Sequence, residues 1–268
     1  MIINGYGVMD SLNRVASKNK REDSTMQKLS AGKRIIKGAD DAGGLCIAES
    51  FKSQIRGLSQ GERNSQDAIS MLQVVDGALD EVVKSLHRMK EISVQASNGT
   101  LTDEDRKSVD KEFQEIKNGI SGIAEQTEFN GIKMMNSDKT LVIQIDYNPY
   151  TTFKLEMKDM TVSSIGIDAS SVVDSDKSQK SMGVIDAALS KVLSYRSGLG
   201  SSTNSLQSNI TSASNNGVNL TKSLSGIEDI DMASGMMQII KTDLLANCNS
   251  ILYASLKQSA ESVQKILQ

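Results

Sequence analysis

The sequence has no tryptophan, a single proline (Pro149), one histidine (His87), two cysteines, and nine aromatic residues among 268, five tyrosines and four phenylalanines. A core built on large aromatic side chains is therefore excluded. Metal sites and nucleophilic catalysis draw heavily on His and Cys, so their scarcity removes most enzyme classes, and no catalytic, cofactor-binding or metal-ligating set is expected. Cys46 and Cys248 each stand in an apolar periodic run, which predicts two small buried hydrophobes rather than a disulfide. Long hydrophobic runs are also missing, since nothing approaches the roughly 18 consecutive apolar residues of a membrane span. Neither sign of charge dominates: 30 Lys and Arg stand against 33 Asp and Glu, so the net charge gives no reason to expect nucleic acid or an anionic membrane as partner. The opening residues Met1 to Tyr6 lack the basic region and apolar stretch of a secretory signal peptide, so export, if it occurs, takes another route.

What is present is helical periodicity. Because proline breaks helices, its confinement to position 149 leaves both halves free to form long ones. Val8, Leu12 and Val15 begin a run in steps of four and three that continues through Asn19, Glu22, Met26 and Leu29, apolar at its ends and polar between. Residues 38 to 44 interrupt it. Ile69, Leu72, Val75, Leu79, Val82, Leu86 and Met89 then resume the period, preceded by Ile55 and Leu58, predicting one amphipathic helix from about 42 to 96. Gly57, Gly61 and Gly77 each cost about 1 kcal/mol inside it, so packing must hold it together. Thr102 with Asp105 reads as the cap of a second helix, whose apolar positions are Val109, Phe113, Ile116, Ile120 and Ile123. The short connection predicts that the two fold back antiparallel.

The period changes to two at Leu141, Ile143, Ile145 and again at Phe153, Leu155, Met157, with Tyr147-Asn148-Pro149-Tyr150 between, which reads as a β-hairpin. Residues 163 to 181, rich in Ser and Asp, read as a polar connector without committed structure. A coiled-coil pattern follows from Ile185 to Leu224, with Arg196, Thr203 and Gly217 as polar or small members that weaken the seam but help set register. In the last helix one apolar line runs through Met236, Ile240, Leu244 and Ile251, and a second through Leu245, Cys248, Leu252, Leu256, Val263 and Leu267. So wide an apolar surface on a terminal helix marks association with more than one neighbour. The expected fold is mainly α: an elongated antiparallel helical bundle of N- and C-terminal segments, with a small hairpin at the turnaround.

Candidate chemical groups have plainer explanations. Asp40-Asp41 lies between two helices and is best read as turn and N-cap rather than a cation or acid/base pair. His87 reads as a surface group beside Arg88. The basic stretch Lys18 to Arg34 has no aromatic interleaving and reads as a solvated or subunit-contact face.

Several stretches resemble bacterial flagellin, the subunit of the flagellar filament. Leu29-Ser30-Ala31-Gly32-Lys33-Arg34-Ile35 and Asp40-Asp41-Ala42-Gly43-Gly44-Leu45 are similar to the family's LSSGxRI and DDAAGL signatures. Gln54 to Leu58, Arg63 to Asp67, Gly77 to Leu79, Arg88 to Ala96 and Thr127 to Gly131 follow in the family's order. Arg196-Ser197-Gly198-Leu199-Gly200, Asn219-Leu220 and Ile227 to Ala233 resemble its C-terminal stretches. The chain departs from the pattern in having no large outer domains, and in reading Thr242 to Cys248 where many relatives read NQILVQA, which puts Asp243 and Cys248 at unusual places.

The resemblance implies a non-enzymatic, secreted subunit of the extracellular flagellum, exported unfolded and polymerised through its ends. Residues 1–40 and 230–268 would form the inner terminal helices, and 41–229 the rod. It implies self-assembly through Val8, Leu12, Val15, Met236, Ile240, Leu244, Leu245, Ile251, Leu252 and Leu256. Its implied partners are copies of itself, an export chaperone, and cap and hook-associated proteins; neither nucleic acid nor a membrane is expected. Arg88, Ile92 and Glu112 match the family's contact patch for the flagellin-sensing Toll-like receptor, and Gln27 to Ala48 resembles the peptide detected by plant receptors, departing from it at Ile36 and Ala39. The competing readings are a hook-filament junction protein and a non-flagellar coiled-coil adaptor.

Overall fold

The structure is a computed structural model that describes residues 22–266 together with Ser17 and Lys20. A helix, α1, occupies residues 22–31. It is followed by α2 (Ala42–Ala96), α3 (Asp103–Gln126), the short pair β1 (Glu128–Phe129) and β2 (Ile132–Lys133), the hairpin β3 (Lys139–Gln144) and β4 (Thr152–Met157), α4 (Val162–Ile165), α5 (Ser175–Glu228) and α6 (Met232–Ile266). The chain divides into two units, residues 56–217 and the two end segments up to Ile55 and from Val218.

In the central unit the apolar steps of α2 become a core. Leu72, Val75, Leu79, Val82, Leu86, Met89, Ile92 and Ala96 are buried, together with Phe113 and Ile120 of α3 and Ile185, Leu189, Val192, Leu199 and Leu206 of α5. Each fully buried aliphatic side chain contributes about 2 kcal/mol, which offsets the glycine cost within α2. The direction of α3 against α2 follows from two contacts: Arg106 meets the Ala96 carbonyl and Arg88 meets Glu112, so the helices run antiparallel. The same holds for α2 and α5, where Asp76 meets Arg196 and Lys90 meets Asp186. The Thr102 hydroxyl accepts from the Asp105 N–H while the Asp105 carboxylate accepts from the Thr102 N–H, a full capping box that starts α3. At the other side of this turn, Arg106 is buried and donates to the Ala96 and Asn98 carbonyls, closing the C-terminal end of α2.

The hairpin pairs Leu141 with Leu155 and Ile143 with Phe153, placing its apolar alternation on one face. Leu155 and Met157 are buried on that face. Its turn lies against α2 at two glycines. A Cβ at Gly57 would sit 2.5 Å from the Tyr147 Cβ, and one at Gly61 would sit 2.7 Å from the Ile145 carbonyl carbon. Asn64 adds a hydrogen bond of 2.9 Å to the Gln144 carbonyl. These glycines are a requirement for close approach as well as a cost to the helix.

Residues 163 to 181 are not an uncommitted connector. Thr161 caps α4, Gly166 closes it at φ +92°, and α5 has begun by Ser175. Val162, Ile165, Ile167 and Val172 are buried, and Ser178 and Ser181 are buried with their hydroxyls bonded to backbone carbonyls. The segment is polar in composition but strapped to α3. Asp110 accepts from the Val172 N–H and the Ser171 hydroxyl, Gln114 donates to the Ser170 carbonyl, and Lys117 donates to the Asp168 carbonyl. A second correction concerns the cysteines. Cys46 and Cys248 are both free and both exposed rather than buried.

Candidate functional site

Among the described residues, one apolar face of α6 is exposed along several turns. The helix starts on Asp231, whose carboxylate accepts from the N–H groups of Ala233 and Ser234 at 3.0 and 3.3 Å, while its carbonyl accepts from Gly235. Beyond this cap Met232, Met236, Ile240 and Leu244 follow one another at steps of four, with Met237, Leu245 and Ile251 flanking them. All seven are exposed, from 46% at Leu245 to 71% at Met237. Contiguous exposed apolar side chains of this kind commonly mark a surface that another molecule covers. Cys248 continues the four-residue steps from Leu244 and is exposed with them. The expected members Leu252 and Leu256 lie within α6, but their side chains fall outside the described residues, as do Val8, Leu12 and Val15 altogether.

At the base of this helix the two end segments cross. Lys33 and Asp229 form an antiparallel bridge, the Arg34 N–H donates to the Glu228 carbonyl at 2.6 Å, and the Ile230 N–H donates to the Gly32 carbonyl at 3.2 Å. Gly32 stands at φ +68°, a turn that only glycine makes easily. The Glu228 side chain is buried and carries the ammonium groups of Lys33 and Lys52 on one carboxylate oxygen at 2.7 and 2.9 Å. Burial pushes its carboxyl up, but the two lysines outweigh this and hold it below the usual range. None of the three residues was flagged by periodicity, because a charged residue at a helix end looks like an ordinary solvated group.

The turn before α2 is built by the aspartate pair. Asp40 accepts from the N–H groups of Ile36 and Lys37 and pairs with Lys28 at 2.9 Å, and Asp41 accepts from the Gly44 N–H as the cap of α2. Arg88 donates to Glu112 at 2.7 and 3.1 Å and to Glu91 at 3.1 Å, on an exposed face next to the exposed His87. Ile92 is not on that face. It is fully buried among the core residues of α2, so the structure does not bring it together with Arg88 and Glu112 as a surface patch. Among the described residues there is no group of three or more His, Cys, Asp or Glu side chains placed to hold a metal ion, and no helix long and apolar enough to cross a membrane.

Fold and surface thus define a protein of long packed helices in which α6 presents an apolar stripe that is exposed among the described residues. The model of the bacterial flagellin N-terminal helical region matches residues 3–140, and that of the C-terminal helical region matches residues 182–267. The chain is 35% identical to a flagellin of Halalkalibacterium halodurans over 272 residues, covering 100% of both proteins. It is 32% identical to a flagellin of Bacillus subtilis, covering 100% of this chain and 99% of the relative. Among solved structures, the crystal structure of Bacillus cereus flagellin is similar at a TM-score of 0.50 and 28% identity, over 56% of this chain and 88% of that one. A putative flagellar hook-associated protein from Vibrio parahaemolyticus shares the fold at a TM-score of 0.63 and 18% identity, over 71% of this chain and 100% of that one. The chain belongs to the bacterial flagellin family.

Proposed function

We propose that this protein is a structural subunit that polymerises into the bacterial flagellar filament and there serves motility. The observation that carries the reading is the apolar stripe of α6, exposed among the described residues, on a protein that matches flagellins along its whole length. Polymerisation is burial-driven: a stripe covered by neighbouring copies loses its contact with water, and a heterologous contact that does not close on itself extends without limit. The segments 1–40 and 230–268 act as the assembling ends and 41–229 as the rod. The subunit is secreted, reaching the extracellular filament unfolded through the flagellar export machinery, with an export chaperone, cap and hook-associated proteins as transient partners. Recognition by a flagellin-sensing Toll-like receptor would fall on the exposed Arg88 and Glu112 rather than on Ile92. No catalytic role is assigned.

The test is seeded elongation followed by electron microscopy. The wild-type chain grows long tubes from filament seeds; Leu244→Asp grows none, while Lys107→Asp, at an exposed position of α3, grows them normally. Growth that stops after one layer would replace the filament reading with a junction protein. A monomer that never elongates would leave a coiled-coil adaptor. Deleting residues 233 to 268 abolishes growth while the helices of 56–217 persist by circular dichroism.

A further inference from the structure

The end segments have almost no buried apolar core among their described residues. Among their described residues the buried hydrophobic side chains are Ile35 and Ala48, whereas the central unit carries more than thirty counted from Leu58 to Ala213. The described contacts that join the two end segments at the crossing are mostly polar, and these converge on Glu228. Lys33, just beyond α1, and Lys52, on α2, both bind its carboxylate, and its carbonyl accepts from Arg34. Arg34 also donates through its guanidinium to the Ile227 carbonyl at 2.6 Å, Lys52 reaches the exposed Glu49 at 2.9 Å, and the neighbouring Asp229 is bonded by the Ser225 hydroxyl. Past the crossing, Leu29 lies against Gly235, where a Cβ would come within 2.9 Å, and Glu22 meets Asp243. Seven residues back along α1 correspond to eight forward along α6, so the two helices run antiparallel away from the joint.

We propose that Glu228 is a positioning residue for assembly: its buried carboxylate, clamped by Lys33 and Lys52, fastens the crossing so that α1 and the apolar stripe of α6 leave it in one alignment. The role in assembly rests on the filament reading; the fastening does not. A buried ion pair is a poor source of net stability but a good selector of register, since every alternative arrangement leaves a charge buried without its partner. The joint is also charge-dependent: protonating Glu228 removes its hold on both lysines and leaves only the crossing backbone bonds.

The experiment compares the full-length wild type with Glu228→Gln, which keeps the size of the side chain and removes its charge. In unpolymerised protein, amide exchange at Arg34 and Ile230 is expected to accelerate about tenfold in the variant, while the Val75 and Leu86 amides of the core keep their rates. Seeded elongation is expected to need about tenfold more subunit. In the wild type the protection of the same two amides, taken against their intrinsic exchange at each pH, falls as the pH drops through the titration of Glu228, and in the variant it does not. Glu228→Asp, which keeps the charge, restores part of both effects. Unchanged exchange at Arg34 and Ile230 overturns the joint, as does equal acceleration throughout α2, which would mean general unfolding. A wild type that fails to elongate overturns the filament reading and the assembly role with it, while the exchange rates still decide whether Glu228 fastens the crossing.

Discussion

Arg196 of α5 grips Asp76 of α2 at two points, Nε to one carboxylate oxygen at 2.8 Å and Nη2 to the other at 3.2 Å, and its remaining Nη1 reaches Asp80 at 3.0 Å. The arginine stands where the coiled-coil period calls for an apolar residue, and the two aspartates one turn apart on the facing helix explain why. Such a fork can be met in only one register, whereas Leu against Leu can slip. The Asp80 carboxyl is held below the usual range first by Lys84 and then by Arg196.

Arg196→Lys keeps the charge but loses the planar two-point grip. The guanidinium side chain is 25% exposed, so solvent screens part of the interaction. The expected loss is about 1 kcal/mol, a fall of about 2–4 °C in the unfolding midpoint for a chain of this size. Thermal melts of the unpolymerised protein check it, and a variant as stable as the wild type would show that the fork contributes nothing.

The glycines of α2 separate into two kinds that sequence cannot distinguish. A Cβ at Gly77 meets nothing within 4 Å, whereas one at Gly61 would collide with the backbone of Ile145. Gly77→Ala is therefore expected to stabilise by about 1 kcal/mol through helix propensity. Gly61→Ala is expected to destabilise despite the same gain, because the hairpin turn must move off the helix. Opposite shifts in denaturant midpoint are the signature; shifts of the same sign would mean that the turn does not rest on Gly61.

Asp40 gives the end segments an acid dependence. Its carboxyl is lowered to about 2, by Lys28 first and by the N–H groups of Lys37 and Ile36 next. The folded state thus binds this proton more weakly than the unfolded chain, where a carboxyl of this type titrates near 4, so ionised Asp40 favours the folded turn. That contribution is complete above about pH 4 and is lost as the pH falls through about 2. Asp40→Asn should flatten the pH profile of amide protection at Lys37 over this window, and a variant whose profile still tracks the wild type would move the effect to another carboxylate.

How far the sequence was legible depended on whether a residue's role was periodic or relational. The apolar steps from Leu72 to Met89 and from Ile185 to Leu206 each report on one helix face, and the buried residues of α2 and α5 follow them. The cap at Thr102 and the turn at Asp40-Asp41 were legible for the same reason, since a cap bonds to its own neighbours. Residues 163 to 181 were not, because their order comes from Asp110, Gln114 and Lys117, some fifty to sixty positions away. Glu228, Lys33 and Lys52 escaped likewise: nothing local to any of them announces that the other two converge on it. The pair of glycines at 57 and 61, one turn apart on one helix face, was the one available hint of a close neighbour.

The Asp243 that departs from the family's usual reading has a structural consequence. It raises the Glu22 carboxyl above its ordinary range, with burial and then Asp23 adding to the effect. A group whose folded value is raised stabilises the fold while protonated and loses that contribution as the pH rises through the folded value. With that contribution lost, ionised Glu22 beside Asp243 then works against the fastening at Glu228. Asp243→Asn replaces the repulsion with a neutral partner. It is expected to slow amide exchange in residues 22–31 at pH 7, with the advantage over wild type vanishing as acid protonates Glu22. Combined with Glu228→Gln, it should recover part of the alignment lost at the joint, because the two changes act on the same helix pair from opposite ends. Exchange in α1 that is indifferent to Asp243→Asn at every pH would show that the two carboxyl groups do not face each other in solution.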